Sequence, residues 1–213
     1  MQLIGRYSSP FVRRVAVTMQ HYGMAYEHHS VMPFGAGRGQ VARLNPIARV
    51  PVLRLDDGEM LVDSAAILDH RDEVAGPEHA LVPANGKARR RVLALLAIAL
   101  GSNEKLVTAL YERHFRPKEL WHQPWIEACE GQVRDGYLWL EEQFPGPWFT
   151  GQAMSQADLT VAVFWSFGMA KRPGIFAKLA CPKLRVLSER LEATPAFKAA
   201  PPETEMLSNQ LGN

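Results

Sequence analysis

The residues with the clearest chemical potential are Ser8-Ser9-Pro10-Phe11. An apolar run over residues 3–7 predicts a buried strand, and the amphipathic segment 11–22 predicts a helix. The two serines and Pro10 fall at the joint between them. A strand that turns directly into a helix points backbone N–H groups, and the positive helix end, at whatever sits there. Pro10 fits the first helical turn, where its missing N–H would be unpaired anyway. The joint therefore suits an anion beside two hydroxyls. From these residues alone the anion is a thiolate, a phosphate, or nothing beyond the helix cap. Tyr7 brings a phenol to the same strand end. Asp63-Ser64 reads as the cap of a second helix, running to about residue 74. Tyr111 and His114 stand three apart and share a face of a long helix.

These groups are positioned by a recognisable order of elements. After the first strand and helix, Gly23 is a natural stop, and residues 26–31 predict a second strand. A βαβ opening of this length implies a parallel pair with a right-handed crossover. Residues 32–39 read as a Gly-rich loop with a mobile rim, and 40–44 as a short helix ended by Asn45-Pro46. Residues 50–55 predict a strand with Pro51 near its start. Asp56 to Glu59 predicts a hairpin turn, and 60–62 the returning strand. Beyond residue 86 the chain changes character. Helices are predicted over 87–113, 124–144, from Ser155 onward, over 182–192 and over 195–198. Ser155-Gln156-Ala157-Asp158 reads as a capping box with a structural carboxylate. The tail from Ala199 reads as loosely held. The expected division is 1–76, a linker at 77–86, and a helical domain over 87–213.

Composition narrows the class. The 213 residues carry 24 Lys+Arg and 22 Asp+Glu, a net charge of +2 that lacks the basic excess of a nucleic-acid binder. Cys129 and Cys181 fit neither a disulfide framework nor a zinc site, which favours a reducing compartment. No signal-peptide pattern opens the chain. The longest apolar run, 92–100, is too short to span a bilayer. A cytoplasmic protein without membrane association is the expectation.

With those residues in place, the chain resembles the glutathione S-transferases over essentially its full length. Tyr7-Ser8-Ser9-Pro10-Phe11 is similar to the catalytic turn of the serine- and cysteine-type members. Its Ser-Pro-Phe-Val-Arg form resembles a bacterial branch. Asn45-Pro46-Ile47-Ala48-Arg49-Val50-Pro51-Val52-Leu53 is similar to the family's Asn-Pro-x-Gly-x-Val-Pro-x-Leu stretch, with Ala48 in place of the usual Gly. Asp63-Ser64-Ala65-Ala66-Ile67 is similar to its Glu/Asp-Ser-x-x-Ile motif, and Gly151 to Asp158 to its second-domain helix cap. The resemblance implies an α/β thioredoxin-like N-terminal domain followed by an all-α C-terminal helical domain.

It also implies glutathione as co-substrate, no metal, and conjugation of the glutathione thiolate to a small hydrophobic electrophile. Isomerase, peroxidase, or merely binding and regulatory roles are the alternatives. Ser9 takes the place of the cysteine in Cys-Pro-Phe relatives and is the implied thiol activator, ahead of Ser8 and Tyr7. A serine cannot form a mixed disulfide, so thiol activation is favoured over disulfide exchange. Pro51 is implied to be cis, with Val50 pairing with the cysteinyl backbone. Ser64 and the Ala65 N–H suit the γ-glutamyl carboxylate, and Asp63 its ammonium. Arg49, with Arg38 as rival, would hold the glycyl carboxylate. Phe11, Phe34, Tyr111, His114 and Trp165 are candidates for an electrophile site between the domains. A homodimer is implied.

Other signals carry less. Gly35 to Gly39 lacks the Lys-Ser/Thr of a P-loop. His28 and His29 alternate across a strand and cannot share one metal. The basic run 87–91 is expected to be a solvated helix face or an interface with an acidic partner.

Overall fold

The computed structural model describes residues 1–203 of the chain. They form two compact units: Met1–Ala80 together with the described residues from Ala193 onward, and Leu81–Glu192.

The first unit is built on a four-stranded sheet of β1 (Gln2–Ile4), β2 (Glu27–His29), β3 (Val52–Arg54) and β4 (Met60–Val62), in the order β2-β1-β3-β4. β1 runs parallel to β2 and antiparallel to β3, which pairs antiparallel with β4. The parallel pair needs a crossover, and α1 (Pro10–His21) supplies it. The strands are shorter than their apolar runs predict, because the flanking residues turn away into loops. The Gly-rich stretch is more ordered than expected. Gly35–Gly37 makes a 3-10 turn that leads into α2 (Arg38–Ala42), and Val41 anchors it in a core with Ile4, Val31 and Val52. α3 (Ser64–Ala75) follows β4.

Every residue of α1 from Pro10 to Met19 is buried, including Arg13 and Arg14. Arg13 is satisfied partly by the end of the described chain. Its Nε donates to the Ala200 carbonyl at 2.8 Å, and its guanidinium lies 5.4 Å from the ring centre of Phe197 on α9 (Pro195–Lys198). A buried cation requires such partners, so the described residues from Ala193 pack with the first unit and residues 199–203 are not loosely held. Residues 204–213 lie outside the described residues.

The second unit contains α4 (Gly86–Phe115), α5 (Gln123–Gln143), α6 (Gln156–Lys171), α7 (Pro173–Phe176) and α8 (Pro182–Glu192). α4 is longer than predicted and is long and apolar enough to cross a bilayer by length and composition. Its apolar face, from Val92 through Leu106 to Ala109, is instead core against its neighbours. Gly136 permits that packing, since a Cβ there would lie 1.9 Å from Ser102 Oγ on α4. The capping box of α6 is present. Asp158 Oδ2 accepts from the Ser155 N–H and Oγ–H at 2.8 Å each, and Oδ1 from the Phe149 N–H at 2.9 Å. α7, which the sequence pattern did not predict, closes the aromatic cluster of Tyr137, Trp165 and Phe176.

Candidate functional site

The register of the sheet gathers the three motifs. Ile4 pairs with Val52, and Val52 with Val62. The serine turn follows Ile4, Val50-Pro51 precedes Val52, and Asp63-Ser64 follows Val62. All three therefore leave the sheet at the same end.

Gly5 brings two of them together. It has φ +126°, and a Cβ there would lie 2.6 Å from Val12 Cγ2 and 2.8 Å from Val50 Cβ. Only the missing side chain lets the first turn of α1 and the Val50 loop meet across the end of β1. The Val50–Pro51 bond is cis, as the resemblance implies. Asn45, 4% exposed, ties its loop from within: Nδ2 donates to the Arg49 carbonyl at 2.9 Å, and Oδ1 accepts from the Ile47 N–H at 3.2 Å. Arg49 and Arg38 are both exposed.

Ser9 is the N-cap of α1, but its Oγ lies 3.5 Å from the Val12 N–H, the outer limit for such a bond. The hydroxyl is thus only weakly engaged as a cap. Tyr7 is committed elsewhere: its hydroxyl is 2.9 Å from that of Tyr26, and its ring stacks on His28 at 3.9 Å. Burial, then the bond to Tyr26, pushes the Tyr7 phenol far above its ordinary value. His28 also lies 2.7 Å from the Gly5 carbonyl, while His29 reaches Gln40, so the two histidines do face apart.

At the start of α3, Asp63 sits at φ +73° and its Oδ1 accepts from the Ala65 N–H at 2.7 Å. The N–H anticipated for a ligand carboxylate is therefore held by the cap itself. Ser64 is buried, 2% exposed, and its Oγ accepts from Arg14 Nη1 at 3.1 Å. Ala48, at φ +51°, and Asp63 are the non-glycine residues with positive φ among the described residues, and both lie in the motifs. Strained backbone of this kind concentrates where geometry serves a ligand.

Two features escaped the sequence reading. Arg14 is 1% exposed, and burial pulls its guanidinium down to about 10, against the opposing charge of Asp63. The second is Glu203, which meets the strand exit: it accepts from Arg6 Nε at 2.6 Å and from the Tyr7 N–H at 3.1 Å. An anion does sit at the joint, one residue before the serines, and it belongs to the chain. In sequence Arg14 looks like any helix arginine. The only signal is its position in a segment flanked by Val12, Val15 and Ala16.

The electrophile candidates fall in both units. Phe11 is buried on α1, and Phe34 is half-buried before the 3-10 turn. Tyr111 and His114 both pack on Phe115, with ring centres 5.1 and 4.8 Å away, and Tyr111 is exposed. Trp165 is core, held between Tyr137 and Phe176. Its indole surface is consumed by packing, at 4% exposed, so it drops out as a surface candidate. Among the described residues no group of three or more His, Cys, Asp or Glu could hold a metal.

A four-stranded sheet of thioredoxin-like topology, a serine turn and a cis-proline loop at one end of it, and a following helical unit define the class of protein. Residues 3–79 match the sequence model of the glutathione S-transferase N-terminal domain. The fold is similar to that of a glutathione S-transferase from Methylobacterium radiotolerans in complex with glutathione sulfonate, with TM-score 0.89, 23% identity and 97% of each chain covered. It is also similar to one from Methylobacillus flagellatus with glutathione bound, with TM-score 0.87, 25% identity, and 95% of this chain and 99% of that one covered. In sequence the chain is 29% identical to maleylacetoacetate isomerase of Pseudomonas aeruginosa over 214 residues, 96% of this chain and 97% of that protein. It is 35% identical to the uncharacterized GST-like protein YibF of Escherichia coli over 101 residues, 47% of this chain and 49% of that protein. The family model thus covers the first 79 residues or so of the chain, and the likeness in fold covers nearly all of it.

Proposed function

We propose that the protein is a glutathione-dependent enzyme that lowers the pKa of the glutathione thiol and directs the thiolate at a small electrophile. The observation that carries this reading is the convergence of Ser9, Val50-Pro51 and Asp63-Ser64 at one end of the sheet. A free thiol titrates near ~8.5 and is mostly protonated at neutral pH. Ser9, weakly held by its cap, donates its hydroxyl to the sulfur, and the N-terminus of α1 favours the negative charge. The engagement of the Tyr7 hydroxyl by Tyr26 favours Ser9 over Tyr7. Val50 supplies backbone pairing to the cysteinyl unit beside Pro51. Ser64 takes the γ-glutamyl carboxylate and Asp63 the ammonium, while exposed Arg49 takes the glycyl carboxylate. Phe11, Phe34, Tyr111 and His114 are assigned to the electrophile. We further assign the protein to the cytoplasm as a homodimer, which sedimentation would test.

Ultraviolet titration of bound glutathione tests the central step. The thiolate absorbance should rise with a midpoint about one to two units below that of free glutathione. Ser9→Ala should return the midpoint toward the free value and lower kcat by about 10- to 100-fold, each pKa unit being ~1.4 kcal/mol. An unchanged midpoint in Ser9→Ala would remove Ser9 from the mechanism.

A second reading has its own support. Likeness to maleylacetoacetate isomerase extends over 96% of the chain. The same thiolate could add reversibly to a conjugated cis double bond and leave after rotation, with no net conjugation. A panel of electrophiles, read once for conjugate and once for isomerised product, separates the two.

A further inference from the structure

The described residues end in an arm that reaches the serine turn. Ala200 is fully buried, and its carbonyl accepts from Arg13 Nε at 2.8 Å. Pro201 and Pro202 follow, both exposed. Proline fixes φ near −65°, and an extended proline pair is stiff, advancing about 3.1 Å per residue. With Ala200 seated, the two prolines leave the next residue little freedom. That residue is Glu203, whose carboxylate accepts from Arg6 Nε at 2.6 Å and from the Tyr7 N–H at 3.1 Å. Ser30 Oγ donates to the same carboxylate at 3.4 Å. The Arg6 and Glu203 side chains are 24% and 25% exposed, so solvent screens this pair less than it screens an open surface pair.

These contacts fall on one turn. The Ser9 N–H donates to the Arg6 carbonyl at 3.0 Å and closes a turn over Arg6-Tyr7-Ser8-Ser9. Glu203 grips the first residue of that turn by its side chain and the second by its backbone. Ser9 is the fourth residue and the N-cap of α1. Its hydroxyl is weakly held by its own cap bond at 3.5 Å, so its place depends on the backbone that carries it. That backbone is fixed by α1 on one side and by Glu203 on the other. A hydroxyl stabilises a thiolate only over a narrow range of distance and angle.

We propose that Glu203 is a positioning residue for thiol activation: it braces the turn over residues 6–9 so that Ser9 Oγ stays aimed at the glutathione sulfur. The inference rests on the assignment of thiol activation to Ser9 made above. The charge of Glu203 and its bracing role pull in opposite directions. A carboxylate near the sulfur disfavours a thiolate by its charge alone, whereas a braced Ser9 favours one. The sign of the effect therefore tells the two apart.

The test is ultraviolet titration of glutathione bound to the full chain, paired with calorimetric binding of S-methylglutathione, which has no thiol to ionise. Glu203→Ala should raise the thiolate midpoint by about 0.5–1 unit and leave S-methylglutathione affinity within about 2-fold. A midpoint that stays put or falls overturns the proposal, since a fall means that Glu203 acts only as a charge. A parallel loss of S-methylglutathione affinity also overturns it, because the arm then merely holds the unit together. In the Ser9→Ala background Glu203→Ala should add nothing, as expected for two groups that act through one hydroxyl. A further rise there would show that Glu203 works by another route and would overturn the proposal. If Glu203→Ala does not fold, Glu203→Gln takes its place under the same criteria, since it keeps an acceptor for the Tyr7 N–H and loses the charge that pairs with Arg6. Ser9→Ala alone leaving the midpoint unchanged would instead remove the thiol-activation reading itself, so the two failures appear in different samples.

Discussion

Ala48 carries a strain that its neighbours define. Its N–H donates to the Asn45 carbonyl at 2.8 Å, closing a turn that holds the residue at φ +51°. A left-handed residue with a Cβ is disfavoured by roughly 1–2 kcal/mol, and the added freedom of glycine in the unfolded chain offsets part of that. Ala48→Gly should therefore raise stability by about 0.5–1 kcal/mol. Urea denaturation would measure it, and a loss of stability would mean that the turn tolerates alanine without strain. The family's usual glycine at this position has the same physical reason. Ser9 shows the limit of residue-level reasoning. Its type and place beside Pro10 marked it as a cap or a thiol activator, and the long 3.5 Å cap distance joins the convergence of the motifs in favouring the second use.

At the scale of elements, the sheet register does most of the assembly. Gly5, Val12 and Val50 belong to a strand exit, a helix and a loop, and they meet because β1 and β3 are antiparallel neighbours. In the helical unit the corresponding tie is Asp158, which gathers the start of α6 and the Phe149 backbone. Asp158→Ala leaves the buried N–H groups of Phe149 and Ser155 without their acceptor. A loss of about 2–4 kcal/mol is expected, from a cap and buried unpaired donors together. Asp158→Asn, which keeps an acceptor oxygen, should lose less. Chemical denaturation followed by tryptophan fluorescence would report both, and a loss below about 1 kcal/mol for Asp158→Ala would show that the cap is dispensable.

At the scale of the molecule, the two cysteines report on the integrity of the helical unit. Both are free and buried. Burial first, then the charge of Glu141, pushes the Cys181 thiol up to about 12, and burial raises Cys129 as well. At pH 8 neither should react with Ellman's reagent in the folded protein, and both should react on unfolding. Fast reaction of a native thiol would contradict the packing. The pH dependence follows. The folded chain keeps thiol protons that the unfolded chain releases above about pH 8.5. The stability these thiols contribute is full below that pH and falls as pH rises toward 12. Denaturation midpoints at pH 8 and pH 10 would detect the loss.

What the sequence determined by itself is the set of local decisions. Prolines, glycines and capping residues placed the turns and most helix positions, and the order of elements led to the thioredoxin-like and helical parts. The serine turn, the Asn45 to Leu53 stretch and Asp63-Ser64 were legible for the same reason: each depends on residues adjacent in the chain. What tertiary structure decided is everything that depends on burial. Arg13 and Arg14 look like surface residues in sequence, and both are inside. Trp165 looks like a ligand-facing aromatic and is core. Glu203 lies 196 residues from the Tyr7 N–H it accepts. A charge has no local signature of being buried. Its partner is fixed by packing, and packing exists only once distant segments have met.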